Sequence, residues 1–201
     1  MGETWVSTDE AQDVLGSVRH VLRLASMTDT DQQIWKWMFL ALHSALQGAC
    51  VCHLVTTAAP IGAVTTKNGR EWLEYFEKSR SGAPVSPPRT YLMALPDLLK
   101  AIRKDNSAGD GGELSKISIT DRELRYLQGF HETIRNQFQH FAPMGWSIEV
   151  SGIADLSKLT ARIVRDILNY GWAFRHLGDN ERRDLSENLV ALERLGQTVA
   201  K

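Results

Sequence analysis

Apolar residues in this chain recur at steps of three and four, and each such run follows a polar start signal. A Ser, Thr or Asn with Glu or Gln three residues later can satisfy the free N–H groups of a first helical turn reciprocally. Ser7 with Glu10, Thr30 with Gln33, Asn68 with Glu71, and Thr120 with Glu123 all fit. After the first come Val14, Leu15, Val18, Val21 and Leu22, and after the second Ile34, Trp37, Met38, Ala41, Leu42, Ala45, Leu46 and Ala49. Leu124, Leu127, His131, Ile134, Phe138 and Phe141 form a third seam, which Phe141-Ala142-Pro143 stops because a residue before proline avoids helical angles. Leu159, Ile163, Ile167, Tyr170 and Phe174 predict a long helix from Asp155 that closes at Gly178, and a last helix runs from Asn180 to about Gly196. This periodicity predicts an all-α helical bundle. Alternation at Trp146, Ile148 and Val150 adds one short extended segment.

A chain of 201 residues suits one domain, 1–201, better than two independent cores. Its middle, 56–118, is rich in Gly, Pro, Ser and Thr and reads as a loop-rich insertion. Within it Glu71–Ser79 predicts a short helix, and Pro96 is placed to open another over Asp97–Lys104, since its missing N–H would be unpaired there anyway. The Gly-rich end, Asp105–Gly112, is expected to be mobile.

Composition excludes several classes. Hydrophobic residues at 43% and charged residues at 23% are ordinary for a globular chain and rule out a low-complexity or collagen-like one. The most apolar stretch, Ile34–Val55, is interrupted by Lys36, His43, Ser44, Gln47 and His53, so no membrane span is predicted. The N-terminus lacks a basic start and an apolar core, so no secretory signal is predicted and the cytoplasm is the default compartment. Lys plus Arg at 23 against Asp plus Glu at 24 leaves a net charge of -1, without the basic excess of a non-specific nucleic-acid binder. Cys50 and Cys52 would point about 200° apart on a helix. They predict two buried, reduced thiols, and Cys-Val-Cys-His lacks the second ligand pair a closed zinc site needs. No Walker loop, Gly-x-Ser-x-Gly elbow or His-Glu-x-x-His pair occurs, and no cofactor or metal is expected.

Of the six histidines, His20, His43, His53 and His176 read as solvated or structurally satisfied, and His131 on the apolar seam as a hydrogen-bonded core residue. Arg162, Arg165, Arg175, Arg182 and Arg183 alternate with Asp166, Asp179, Glu181 and Asp184, the pattern of a mixed solvated surface. Trp5, Trp146 and Trp172 are candidates for a dimer interface or for core packing.

His140 differs. Arg135-Asn136-Gln137-Phe138-Gln139-His140 closes the third amphipathic seam. It resembles the Arg, polar residue, three variable residues, His motif of the HEPN superfamily, on a helix end flanked by further helices. Arg125 and His131 match the looser spacing too, but without the Asn and the helix-end location. HEPN domains are all-α bundles that usually dimerise, many of them metal-independent endoribonucleases of toxin–antitoxin, phage-defence and RNA-processing systems.

The resemblance implies a homodimer acting on RNA, with Arg135 and His140 as catalytic residues and Asn136 assisting, and an antitoxin or other protein as a further partner. Five residues correspond to about 140° on a regular helix, so Arg135 and His140 of one protomer do not share a face. Two motif ends meeting across a two-fold axis would gather both residue types around one cleft. Two other readings stay open: a non-catalytic HEPN-like module binding a nucleotide, RNA or protein in the same groove, and a purely structural helical dimer. In these, Arg135 pairs with Glu132 and His140 favours the helix C-terminus through its dipole.

Overall fold

The computed structural model of the chain describes residues 4–57, 60–112, 116–135, 138, 147 and 149–198, with the backbone alone at 134, 135 and 196–198. Among these residues are seven α-helices, one π-helical turn and no strand. The helices are α1 (Glu10–Ala25), α2 (Ile34–Leu54), α3 (Thr66–Arg80), α4 (Leu95–Ile102), α5 (Asp121–Phe130), α6 (Ile153–Tyr170) and α7 (Asp179–Thr198). The π turn, His131–Arg135, continues α5 without a break.

Four helices close a ring, α1 on α2, α2 on α6, α6 on α7 and α7 back on α1, while α4 and the π turn pack on α2 and α5 packs on α4. The all-α bundle predicted from periodicity is therefore the observed architecture. Met38, Leu42, Ala45, Leu46 and Ala49 of α2 are fully buried, against Val14, Val18 and Val21 of α1 and Ile163, Val164 and Ile167 of α6 in the same core. α2 has the length and apolar content of a bilayer-spanning helix, yet 72% of its most apolar window is buried inside the bundle. A helix apolar on all sides is what the centre of such a ring requires.

The start signals are only partly those the sequence predicts. Thr120 and Glu123 form the expected reciprocal cap, Thr120 Oγ1 accepting from Glu123 N at 3.2 Å and Glu123 Oε2 accepting from Thr120 N at 2.8 Å. α1 is instead capped by Asp9, whose Oδ1 accepts from Gln12 N at 2.8 Å. α2 has no side-chain cap of its own, and Asp31 Oδ1 takes the Gln33 N–H at 2.8 Å. Thr65 caps α3, which frees Asn68 for a different task. Buried at 1% exposure, Asn68 donates to Glu71 Oε2 and Arg89 O and accepts from Tyr91 N, fastening the loop 85–92 to α3.

The stretch 56–118 thus carries two helices, α3 and α4, and its ends are tied to the bundle. Val64 and Leu92 make one antiparallel bridge. Pro96 lies in the first turn of α4 as expected, although that helix begins and ends two residues earlier than predicted. The Gly-rich end is pinned where mobility is expected. Gly109 N donates to His53 O at 2.8 Å, and Ser107 Oγ lies 2.9 Å from His53 Nε2. Its small residues allow close packing on the end of α2, not freedom.

α6 stops earlier than predicted, at Tyr170, where Gly171 adopts a left-handed φ of 90°. An L-residue with a Cβ is strained there, and glycine is not. Phe174, counted on the helical stripe by periodicity, sits in the following turn and is still buried at 1% exposure. The extended segment predicted at Trp146 and Ile148 lies outside the described residues; Val150 is non-helical and packs on the core.

Candidate active site

α5 is held from both sides before it reaches the motif. Arg162 of α6 bonds Glu123 Oε1 at 3.0 Å, Ser118 O at 2.7 Å and Asp166 Oδ2 at 3.2 Å. Partial burial raises the Glu123 carboxyl, but its bonds from Thr120 and the Arg162 guanidinium outweigh this and hold it below its usual range. Tyr126 donates its hydroxyl to Gly152 O at 3.0 Å, which ties the start of α6 to α5 upstream of Arg135. Burial, then the nearby Asp155 and Glu149 carboxylates, push that phenol above its ordinary value.

At His131 the helix leaves α geometry. The backbone widens into a π turn over His131–Arg135, and the local register slips by one residue. Its consequence is visible in packing: Phe130 and His131, neighbours in sequence, are both buried, at 8% and 7% exposure. In a regular helix adjacent residues diverge by about 100°, so only one would face α2.

What they meet on α2 is an aromatic nest around a polar bond. His43 Nε2 and His131 Nδ1 lie 2.9 Å apart, with the rings nearly parallel at 22° and their centroids 5.1 Å apart. Phe130 packs on His43 at 5.9 Å, and Phe39 lies 6.1 Å from Phe130 and 6.3 Å from Phe138. A bond of this length needs one proton between the two nitrogens, so the doubly protonated pair cannot keep it. His43 also lines a groove of about 680 Å³ on the α1 side, together with Asp13, Ser44 and Gln47. Ser44 Oγ donates to Asp13 Oδ2 there at 2.7 Å.

The structure places the sequence candidates unevenly. Arg135 is the last residue of the π turn. Asn136 and His140 lie outside the described residues. His131 is a hydrogen-bonded core histidine, as its place on the seam implies, but His43, read as merely satisfied, is its partner 88 residues away. No spacing in the sequence announces that pairing. The adjacent Phe130 and His131, directly after Gly129, were the available hint that the helix does not stay regular.

The remaining candidates are occupied structurally. Arg165 bonds Glu193, Arg183 bonds Asn180, Arg182 bonds Leu177 O, and Arg175 stacks on Trp172 at 3.9 Å, so the C-terminal basic run is a mixed-sign surface. Trp172 donates to Val55 O at 3.1 Å within the chain, whereas Trp5 is 84% exposed and Trp146 lies outside the described residues. Both cysteines are buried free thiols. Burial raises Cys50 strongly and pushes Cys52 up to about 12. His20 and His176 are solvent-exposed. No family model matches the chain, nor does any curated protein or solved structure, and its function has to be argued from its own residues.

Proposed function

We propose that the chain is a HEPN-type endoribonuclease that works as a homodimer without a metal, with Arg135 and His140 as catalytic residues and Asn136 assisting. The observation that carries this reading is the π turn. The segment singled out by the motif is the place where the bundle abandons regular helix, and departures of that kind concentrate at functional sites. The turn ends on Arg135 and is backed by a buried hydrogen bond to the central helix.

The chemistry follows from the residue types. A guanidinium binds a phosphodiester bidentately and stabilises the charge that builds on its oxygens during attack. Imidazole, with a model-peptide pKa of about 6.5, can take the proton of a ribose 2′-hydroxyl at neutral pH. The 2′-oxygen then bonds to phosphorus and the bond to the 5′-oxygen breaks. The second imidazole in a two-fold cleft returns a proton to that leaving oxygen, giving a 2′,3′-cyclic phosphate and a 5′-hydroxyl. Asn136 orients the phosphate or the ring through its amide.

The test is cleavage of a mixed RNA pool in excess chelator by the wild type, Arg135→Ala and His140→Ala, with end-group analysis. Cutting to cyclic-phosphate ends that both substitutions abolish is the expected result. Three equally inert proteins would overturn the catalytic reading in favour of a binding module.

A further inference from the structure

A π turn is a one-residue choice of register. If residues 131–135 relaxed to α geometry, everything after the turn would rotate by about 100° and shift by about 1.5 Å along the axis. Arg135 would then present a different face. Such turns have poorer hydrogen-bond geometry than the α-helix they interrupt and persist only where their surroundings favour them. In this chain the surroundings include one specific polar contact.

We infer that His43 and His131 are a positioning pair: their buried bond locks the π register and thereby sets the orientation of Arg135. Three features support the assignment. The bond joins the first residue of the turn to the most buried helix of the bundle. It lies in an apolar surround of Phe39, Phe130 and Phe138, where a polar atom that loses its partner is costly and the bond is correspondingly directional. His131 is also the residue whose N–H closes the last α-type bonds of α5, to Leu127 O and Gln128 O, so ring and backbone are fixed at the same point. Slipping back to α register would carry the His131 ring away from His43 and break the bond.

The inference rests on the ribonuclease reading only for its activity readout. The decisive variant removes both rings at once, His43→Leu with His131→Leu, because deleting the pair leaves no orphaned buried nitrogen and the bundle still folds. Two conservative variants keep a hydrogen-bonding atom in place: His43→Gln near Nε2, and His131→Asn near Nδ1. Each protein is measured for amide hydrogen exchange over 131–135 and for kcat and KM on an RNA oligonucleotide. The double-Leu protein is expected to melt near the wild type but to exchange at least tenfold faster over 131–135. Its kcat should fall by about 100-fold, as a misplacement of about 1 Å can cause, with KM within about threefold. The Gln and Asn variants should restore both readouts to within about fivefold.

Wild-type exchange and kcat in the double-Leu protein would overturn the inference. So would Gln and Asn variants that fold but behave like the double-Leu protein, since ring packing and not the bond would then hold the turn. If the wild type cuts no RNA, the ribonuclease reading fails by itself, and the exchange rates still decide the register lock.

Discussion

Gly109→Ala is the substitution whose cost can be worked most directly from the structure. A Cβ built on Gly109 would lie 1.9 Å from Val55 O, 2.4 Å from Val55 C and 2.9 Å from Trp172 Nε1. Two of these atoms are backbone at the end of α2, so no side-chain rotation makes room. The loop has to lift, which breaks Gly109 N–H to His53 O and strains Trp172 Nε1–H to Val55 O. Each lost bond costs about 1 kcal/mol net, and more where a buried group is orphaned. Overpacking strain adds about 1–3 kcal/mol. Together these give about 4 kcal/mol, or roughly 12 °C in Tm for a domain of this size.

Gly129→Ala should move the other way. Gly129 lies in α5 with nothing within 4 Å of the added carbon, so the substitution gains about 0.5–1 kcal/mol of helix propensity. Thermal melts and urea titrations of the two variants beside the wild type would check the pair. A Gly109→Ala loss below about 1 kcal/mol would refute the close-packed account of the loop and restore the mobile one.

Other outcomes follow from the electrostatics and the thiols. Cys50 and Cys52 are buried and held protonated, so neither should react with an aromatic disulfide reagent at pH 8 in the folded protein, while both should react in denaturant. Glu123 titrates below its usual 4.5 when folded, so its contribution to stability is present above that value and is lost as pH falls through the folded pKa. Glu123→Gln should therefore lower stability near pH 7 and flatten its decline on acidification below the ordinary carboxylate range. Urea midpoints collected from pH 7 to pH 2.5 would show this, and parallel pH profiles for variant and wild type would contradict it.

What periodicity can carry, it carried: helical seams in α1, α2 and α5 are read from steps of three and four because a buried stripe demands them whatever the rest of the fold does. Local chemistry with a close rival was harder to read. Asp9 displaced Ser7 as the cap of α1, and Gly171 stopped a helix whose apolar stripe runs on to Phe174 because that phenylalanine is buried from a turn instead. The pinned loop at Gly109 depends on Val55 and Trp172, far away in sequence, and composition alone described it as free. At the candidate site the motif was visible, but the π turn and the His43 partner were not. A one-residue change of register and a contact across 88 positions leave no periodic trace.

The claim of a site shared between protomers is tested most directly by mixing two dead variants. Arg135→Ala and His140→Ala proteins are unfolded together, refolded to exchange subunits and assayed on RNA in chelator, each also assayed alone. A heterodimer joins the intact Arg135 of one protomer to the intact His140 of its partner. Cleavage that reappears only in the mixture is the predicted result. Two variants that exchange subunits, as mass spectrometry would record, and still cut nothing would contradict the shared site.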